Sequence, residues 1–242
     1  MTWLTHCATK GTMRRMGTTG RVFVITGASS GLGFETARAL TARGGHVILA
    51  VRDEQKGRTA QARLGKGEVR LVDLADLDSV RAFAAGIERV DVLINNAGVM
   101  APPRTLSAQG YELQFAVNHL AHFALTMLLL DRLTAGDDPR VVTVSSVLHK
   151  KGRLDFDDLN GERRYSATAA YNQSKLANAV FGLELSRRQP GVRSLLAHPG
   201  YASTGLQAAV QPGLYRTLLT KVGNPLLAVS AGSAPIAGFS GA

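Results

Sequence analysis

The chain has almost no cysteine. Its one thiol, Cys7, excludes an intrachain disulfide and any cysteine-based metal cluster. That usage predicts a reducing, cytoplasmic setting. Long apolar runs are missing too. The longest, Phe123–Leu130, ends at Asp131 and falls far short of the ~18 residues a membrane helix needs. Residues 222–242 carry no charge, but Gly223, Pro225, Gly232, Pro235, Gly238 and Gly241 interrupt them, so no stable membrane span is expected. The first 20 residues lack the apolar centre of a secretory signal, although their basic, Thr-rich character leaves a mitochondrial-type presequence open. Acids are absent from both ends. Residues 1–20 bring only Lys10, Arg14 and Arg15, and residues 185–242 only Arg187, Arg188, Arg193, Arg216 and Lys221. Most of the net charge of +10 therefore sits in the two ends. A nucleic-acid partner would call instead for a basic face interleaved with aromatics, so none is expected.

What is present fits one domain. A chain of 242 residues buries ~70% of its unfolded surface on folding, enough for a core without staples. Hydrophobic residues make up 45% and charged residues 19%, which excludes a disordered chain. No internal repeat or interdomain linker is visible. The 26 glycines call for backbone reasons, such as tight turns or close approach of a ligand.

Short β-branched runs alternate with longer amphipathic ones. Strands are predicted at 21–26, 46–51, 68–72, 91–95, 140–145 and 192–197. Helices are predicted at 32–43, 53–64 with Asp53 as cap, 77–88 with Asp76 as cap, 108–133 and 168–188. Strands alternating with helices predict right-handed βαβ units in a doubly wound parallel sheet, an α/β domain with six clear strands. Ligands of such sheets bind at the carboxyl ends of the strands, and every motif below falls at one.

The first strand runs into Thr26-Gly27-Ala28-Ser29-Ser30-Gly31-Leu32-Gly33. Glycines here let the backbone approach a pyrophosphate, and the next helix offers its positive end. Turns of this kind also serve helix packing alone. The second strand ends at Val51-Arg52, with no acid to hold the adenosine 2′-hydroxyl. Arg52 can pair with a 2′-phosphate, which favours NADP(H) and leaves NAD(H) open. Asp53 competes for the ribose, but its position opening a helix predicts capping. Tyr171 and Lys175 stand four apart on one helix face, where the ammonium is expected to lower the phenol pKa and make the Tyr usable in proton transfer. Ser145-Ser146 end a strand upstream, and Asn118 lies in the long helix. A hydroxyl and an amide could thus converge on one carbonyl. Adjacent strand residues face opposite ways, so only one of the two serines can face such a site.

Taken together, TGASSGLG at 26–33, NNAG at 95–98, Asn118, the Ser146 strand end, YNQSK at 171–175 and HPG at 198–200 resemble the classical short-chain dehydrogenases/reductases. The likeness runs in order over about 20–205. NHLAHFALT at 118–126, VSSVLHKKGRLDFDDLN at 144–160 and AYNQSKLAN at 170–178 resemble the retinol-dehydrogenase-like and protochlorophyllide-reductase-like members. The resemblance implies a Rossmann-type fold with a basic extension at 1–20, a nucleotide-binding and catalytic domain at 21–204, and a substrate-covering segment at 205–242. It implies Tyr171 as general acid/base, Lys175 as ribose ligand and pKa modifier, Ser146 as the serine bonding the substrate oxygen, and Asn118 as holder of a relay water. Cofactor contacts are implied for Gly27, Ser29, Ser30, Gly31, Leu32, Gly33, Arg52, Asp73, Leu74, Asn95, Ala97, Gly98, Tyr171, Lys175, Pro199, Gly200 and Thr204.

The expected activity is reversible NADP-dependent hydride transfer between a small-molecule carbonyl and an alcohol. Leu148, Tyr201, Leu206, Leu214 and Tyr215 point to a lipophilic substrate, and a homo-oligomer is left open. The family's seventh strand is in doubt, because 230–242 is rich in Gly, Ala, Ser and Pro, with only Ile236 and Phe239 bulky and apolar. Such a segment is expected to form no central parallel strand; a short pairing around Ile236–Phe239 is the competing outcome. A truncated or altered terminus frames the alternative reading, a non-catalytic nucleotide-binding relative. Other polar groups read as structural. Asp155, Asp157, Asp158 and Glu162 lack calcium-loop spacing because Leu159 stands at a ligand position, and no metal site is expected. His119 and His122 read as packing residues rather than proton carriers, and a place for His149 at the substrate mouth is left open as the lesser reading.

Overall fold

The computed structural model describes residues 17–199 and the backbone of Gly238–Phe239. Six parallel strands form the sheet: β1 (Val22–Thr26), β2 (His46–Val51), β3 (Glu68–Leu71), β4 (Val92–Asn95), β5 (Arg140–Val144) and β6 (Arg193–Ala197). Their order is β3-β2-β1-β4-β5-β6. The order reverses between β1 and β4, which sets the ligand crevice at the carboxyl ends of those two strands. The alternation along each strand divides the core into two layers. Phe23, Ile25, Val47, Leu49, Val92 and Ile94 pack beneath α1 (Gly31–Ala42) and α2 (Glu54–Leu64). Val24, Ile48, Ala50, Leu93 and Val141 face the other way, toward α3 (Leu77–Ala85), α5 (Ala121–Leu128) and α7 (Ala167–Arg188). Burial on both faces explains why these strands read as continuous apolar runs.

Caps set several boundaries. Asp53 and Asp76 accept from the amides of Lys56 and Asp78, as their positions predict. The long helix expected over 108–133 is different. It begins at Leu113, because Ser107–Tyr111 closes a turn through Ser107 N–H to Tyr111 O at 2.7 Å and Gly110 takes φ +81°. Buried Glu112 then accepts from Phe115 N–H at 2.8 Å and caps α4 (Leu113–Phe115). A π-turn, Ala116–Leu120, separates α4 from α5, and α6 (Leu130–Thr134) follows a second break at Leu129.

At the amino ends of the strands, Asp91 is fully buried. One oxygen accepts from Val22 N–H at 2.6 Å and the other from Asp137 N–H at 2.7 Å. Burial pushes its carboxyl up, but those two amides and Arg89 outweigh it and hold the pKa below the usual range.

Gly238–Phe239 forms β7, a two-residue antiparallel ladder on β6 that pairs Leu196 with Phe239 and Ala197 with Gly238. It is an edge addition, the short pairing named above, and not a central parallel strand. No helix among the described residues is long and apolar enough to cross a membrane.

Candidate active site

The predicted site residues gather along the carboxyl edge of the sheet. Gly27, Ser29, Ser30, Gly31, Leu32 and Gly33 form the β1–α1 turn, with Gly27 and Gly31 at φ +67° and +55°. A Cβ on Gly33 would meet the Gly27 carbonyl oxygen at 2.4 Å and Asn96 Nδ2 at 2.6 Å, so only glycine fits. Ser30 opens α1 without a side-chain cap, and the first turn holds no acid. Its amides are thus not satisfied by a side chain of that turn. Arg52 is exposed, one residue past β2, while Asp53 is committed to its cap. Asp73 and Leu74 follow β3, where Asp73 accepts from Ala75 N–H at 2.9 Å and Leu74 is buried.

Ala97 and Gly98 follow β4. The Asn95 side chain points away from them into the core, donating to Thr126 Oγ at 3.1 Å and toward Thr143 Oγ at 3.5 Å. Strand alternation explains this, since Asn95 still belongs to β4 and its neighbour Asn96 faces the turn. Asn96 Nδ2 donates to the Thr26 carbonyl at 2.8 Å. Pro199 is the last described residue of this stretch; Gly200 and Thr204 lie outside the described residues.

Tyr171 and Lys175 project from α7, whose N-cap Ser166 accepts from Ala169 N–H. Both are nearly completely buried. Lys175 Nζ donates to the Val144 carbonyl at 3.1 Å and lies 5.7 Å from the centre of the Tyr171 ring. Burial pushes the ammonium down to about 8. The phenol is shifted upward rather than downward: burial disfavours the phenolate, and the Ser146 hydroxyl pulls only partly the other way. Lys175 lies over the ring and bonds a carbonyl, so the expected lowering does not emerge here.

The two serines divide as alternation requires. Ser145 Oγ donates to the Lys175 carbonyl at 3.0 Å, whereas Ser146 faces Tyr171 and caps the 3₁₀ turn Val147–Lys151. Asn118 sits fully buried in the π-turn, and its side chain is engaged at both polar atoms. Oδ1 accepts from Val99 N–H at 2.7 Å, and Nδ2 donates to the Val99 carbonyl and to Ser174 Oγ, both at 3.0 Å. Ser174 donates in turn to the Tyr171 carbonyl at 2.8 Å. A Cβ on Gly98 would lie 3.1 Å from Asn118 Oδ1 and 3.6 Å from Lys175 Nζ, which brings the β4 turn, the π-turn and α7 to one point.

Sequence reasoning passed over Thr26, Asn96, Ser174 and the tie between His122 and Asn118. Thr26, Asn96 and Ser174 lie inside the motifs at 26–33, 95–98 and 171–175 without having been given roles, and His122 stands four residues after Asn118 on one helix. In the acidic loop Asp158 accepts from Glu162 and Arg163 N–H, and no group of metal-ligating side chains occurs among the described residues.

A doubly wound sheet with a glycine turn at its switch point and a Ser, Tyr and Lys cluster beside it defines a dinucleotide-binding oxidoreductase class. The comparisons narrow it. Residues 21–214 match the short chain dehydrogenase family, and the chain belongs to it. Human retinol dehydrogenase 13 is 49% identical over 201 residues, covering 77% of this chain and 60% of that protein. The chain thus spans about three-fifths of the length of that relative. A crystal structure of an uncharacterised Mycobacterium paratuberculosis protein matches with TM-score 0.73 and 51% identity, over 81% of this chain and 78% of that one. A Shigella flexneri short chain dehydrogenase solved with NADP matches with TM-score 0.65 and 25% identity, over 80% and 82%.

Proposed function

We propose that this protein is an NADP-dependent reductase/dehydrogenase interconverting a carbonyl and an alcohol on a lipophilic small molecule. The observation that carries the reading is the meeting of Ser146, Tyr171 and Lys175 beside the Gly98 turn, one strand from the glycine turn after β1. The turn suits a dinucleotide: α1 offers amides without a side-chain cap to a pyrophosphate, Gly27 and Gly31 supply the left-handed backbone, and glycine at 33 lets α1 pack tightly against Gly27 and Asn96. Exposed Arg52, with Asp53 engaged as a cap, supports the 2′-phosphate form. The Shigella relative solved with NADP agrees with that choice, and the retinol dehydrogenases agree with a lipophilic alcohol or aldehyde.

The nicotinamide, when bound, supplies or accepts the hydride. Tyr171 then gives its proton to the substrate oxygen in reduction and takes it back in oxidation. Its raised pKa keeps the hydroxyl protonated in the free protein, ready for the reductive direction. Ser146 donates a hydrogen bond to the same oxygen. Lys175 keeps a cation behind the phenol, and the Asn118–Ser174 pair fixes the turn of α7 carrying Tyr171.

The test is NADPH consumption with a panel of aldehydes and ketones that includes all-trans-retinal. Turnover of lipophilic carbonyls in preference to short polar ones is expected. Tight NADPH binding with no turnover across the panel would instead favour the nucleotide-binding relative.

A further inference from the structure

His122 is fully enclosed, and both of its ring nitrogens are engaged. Nε2 lies 2.9 Å from Thr26 Oγ and Nδ1 lies 3.0 Å from the Asn118 carbonyl oxygen. The proton positions follow from counting donors and acceptors. Thr26 Oγ accepts from Asn96 N–H at 2.9 Å and from Ala97 N–H at 3.0 Å, which uses its two lone pairs. Its own proton therefore goes outward, and Nε2 at 2.9 Å is a better acceptor than the Ile94 carbonyl at 3.4 Å. On the other edge, a carbonyl can only accept, so Nδ1 carries a proton. Together the two edges require one species, a neutral ring with its proton on Nδ1. Burial agrees, pushing the imidazolium pKa down to about 4, with Lys175 and His119 adding like-charge repulsion.

We propose that His122 is a positioning residue that ties Asn118 to the nucleotide turn through Thr26. Its Nδ1 edge holds the carbonyl of Asn118 inside the π-turn, where the helical hydrogen-bond ladder is displaced. The Nε2 edge orients Thr26, which in turn fixes the Asn96 and Ala97 amides at the β4 turn. Asn95 and Thr126 brace the arrangement: Asn95 donates to Thr126 Oγ, which donates at 2.7 Å to the backbone carbonyl of His122. One ring thus serves both the nucleotide turn and the catalytic helix.

The inference rests on the reading of Tyr171 and the β1–α1 turn as an NADP site, and its test separates the two. His122→Asn keeps an amide N–H near the Nδ1 position and loses the acceptor for Thr26. His122→Gln keeps an oxygen near the Nε2 position and loses the donor to Asn118. Loss of one buried partner corresponds to about 10-fold in the affected constant. His122→Asn is expected to weaken NADPH binding by about that factor, more than it lowers kcat. His122→Gln is expected to lower kcat by about that factor, more than it weakens NADPH. In the wild-type protein, ¹⁵N NMR of the imidazole should show the neutral Nδ1–H form from about pH 5.5 to about pH 8, across the ordinary histidine range. That spectrum needs neither turnover nor a folded variant. An Nε2–H or charged ring overturns the proposal. So does a proportional loss of both constants in both variants tracking a lower melting temperature, the behaviour of a packing residue. If the wild type turns over no carbonyl while the Nδ1–H signal and the NADPH affinities behave as stated, the catalytic reading fails and the tie to the nucleotide turn stands.

Discussion

Arg52 and Asp53 stand side by side at the end of β2, and their side chains are used differently. Asp53 accepts from Lys56 N–H at the start of α2, while Arg52 stays exposed. The proposed preference for NADPH rests on that division. Arg52→Ala should weaken NADPH by about 1.5–3 kcal/mol, the scale of a charge-assisted hydrogen bond, and affect NADH much less. Titrating both cofactors against both proteins measures it; equal losses would make Arg52 structural. The same scale shows what was legible in the chain. Tyr171 and Lys175 could be paired because one helical turn puts them on one face. Strand alternation allowed only one of Ser145 and Ser146 to face the site, the family resemblance pointed to Ser146, and the hydrogen bond from Ser145 to the Lys175 carbonyl gives that alternation a physical form. The same rule places the Asn95 side chain in the core and Asn96 at the turn. The upward shift of the Tyr171 phenol could not be read from spacing, because it depends on how completely α7 and β5 enclose the ring.

Most elements were visible because their boundaries are local. Asp53 and Asp76 cap their helices where their sequence positions place them. The segment from Ser107 to Thr134 was not, because distant contacts override its continuous apolar pattern. Glu112 N–H donates to Asn160 Oδ1, and Glu112 Oε1 accepts from Tyr165 O–H, so a loop some fifty residues away sets the start of α4. The π-turn at Asn118 likewise depends on Val99, Ser174 and Thr26, none of them near it in sequence. Asp91 offers a test at this scale. Its carboxylate joins the start of β1 to the loop before β5, and Asp91→Asn turns one of its two acceptors into an NH₂ facing a backbone N–H, two donors with no acceptor between them. A loss of about 1–3 kcal/mol at neutral pH is expected by denaturant unfolding. The sign with pH is fixed by the lowered folded-state pKa. The carboxylate stabilises fully above its unfolded value near ~4 and less as pH falls through the folded one. The gap between wild type and variant should therefore narrow in acid. A constant gap would show that Asp91 contributes by shape alone.

At the scale of the whole molecule, the sheet order places the glycine turn and α7 on either side of one crevice. β1 and β4 meet at Thr26, whose hydroxyl receives two amides of the β4 turn. Beyond β4, β5 and α7 add Ser146, Tyr171 and Lys175. The far edge is lightly finished: β7 contributes two antiparallel residues to β6. The described site residues sit on the six parallel strands and on the turns and helices between them, and none lies on this two-residue ladder. The measurement that bears most directly on the central claim is NADPH oxidation by the wild-type protein and by Tyr171→Phe, with the preferred carbonyl from the panel, alongside NADPH binding to each. The account predicts a loss of about 10²–10⁴-fold in kcat in the variant, with NADPH affinity and fold retained. Near-normal turnover in Tyr171→Phe would contradict it.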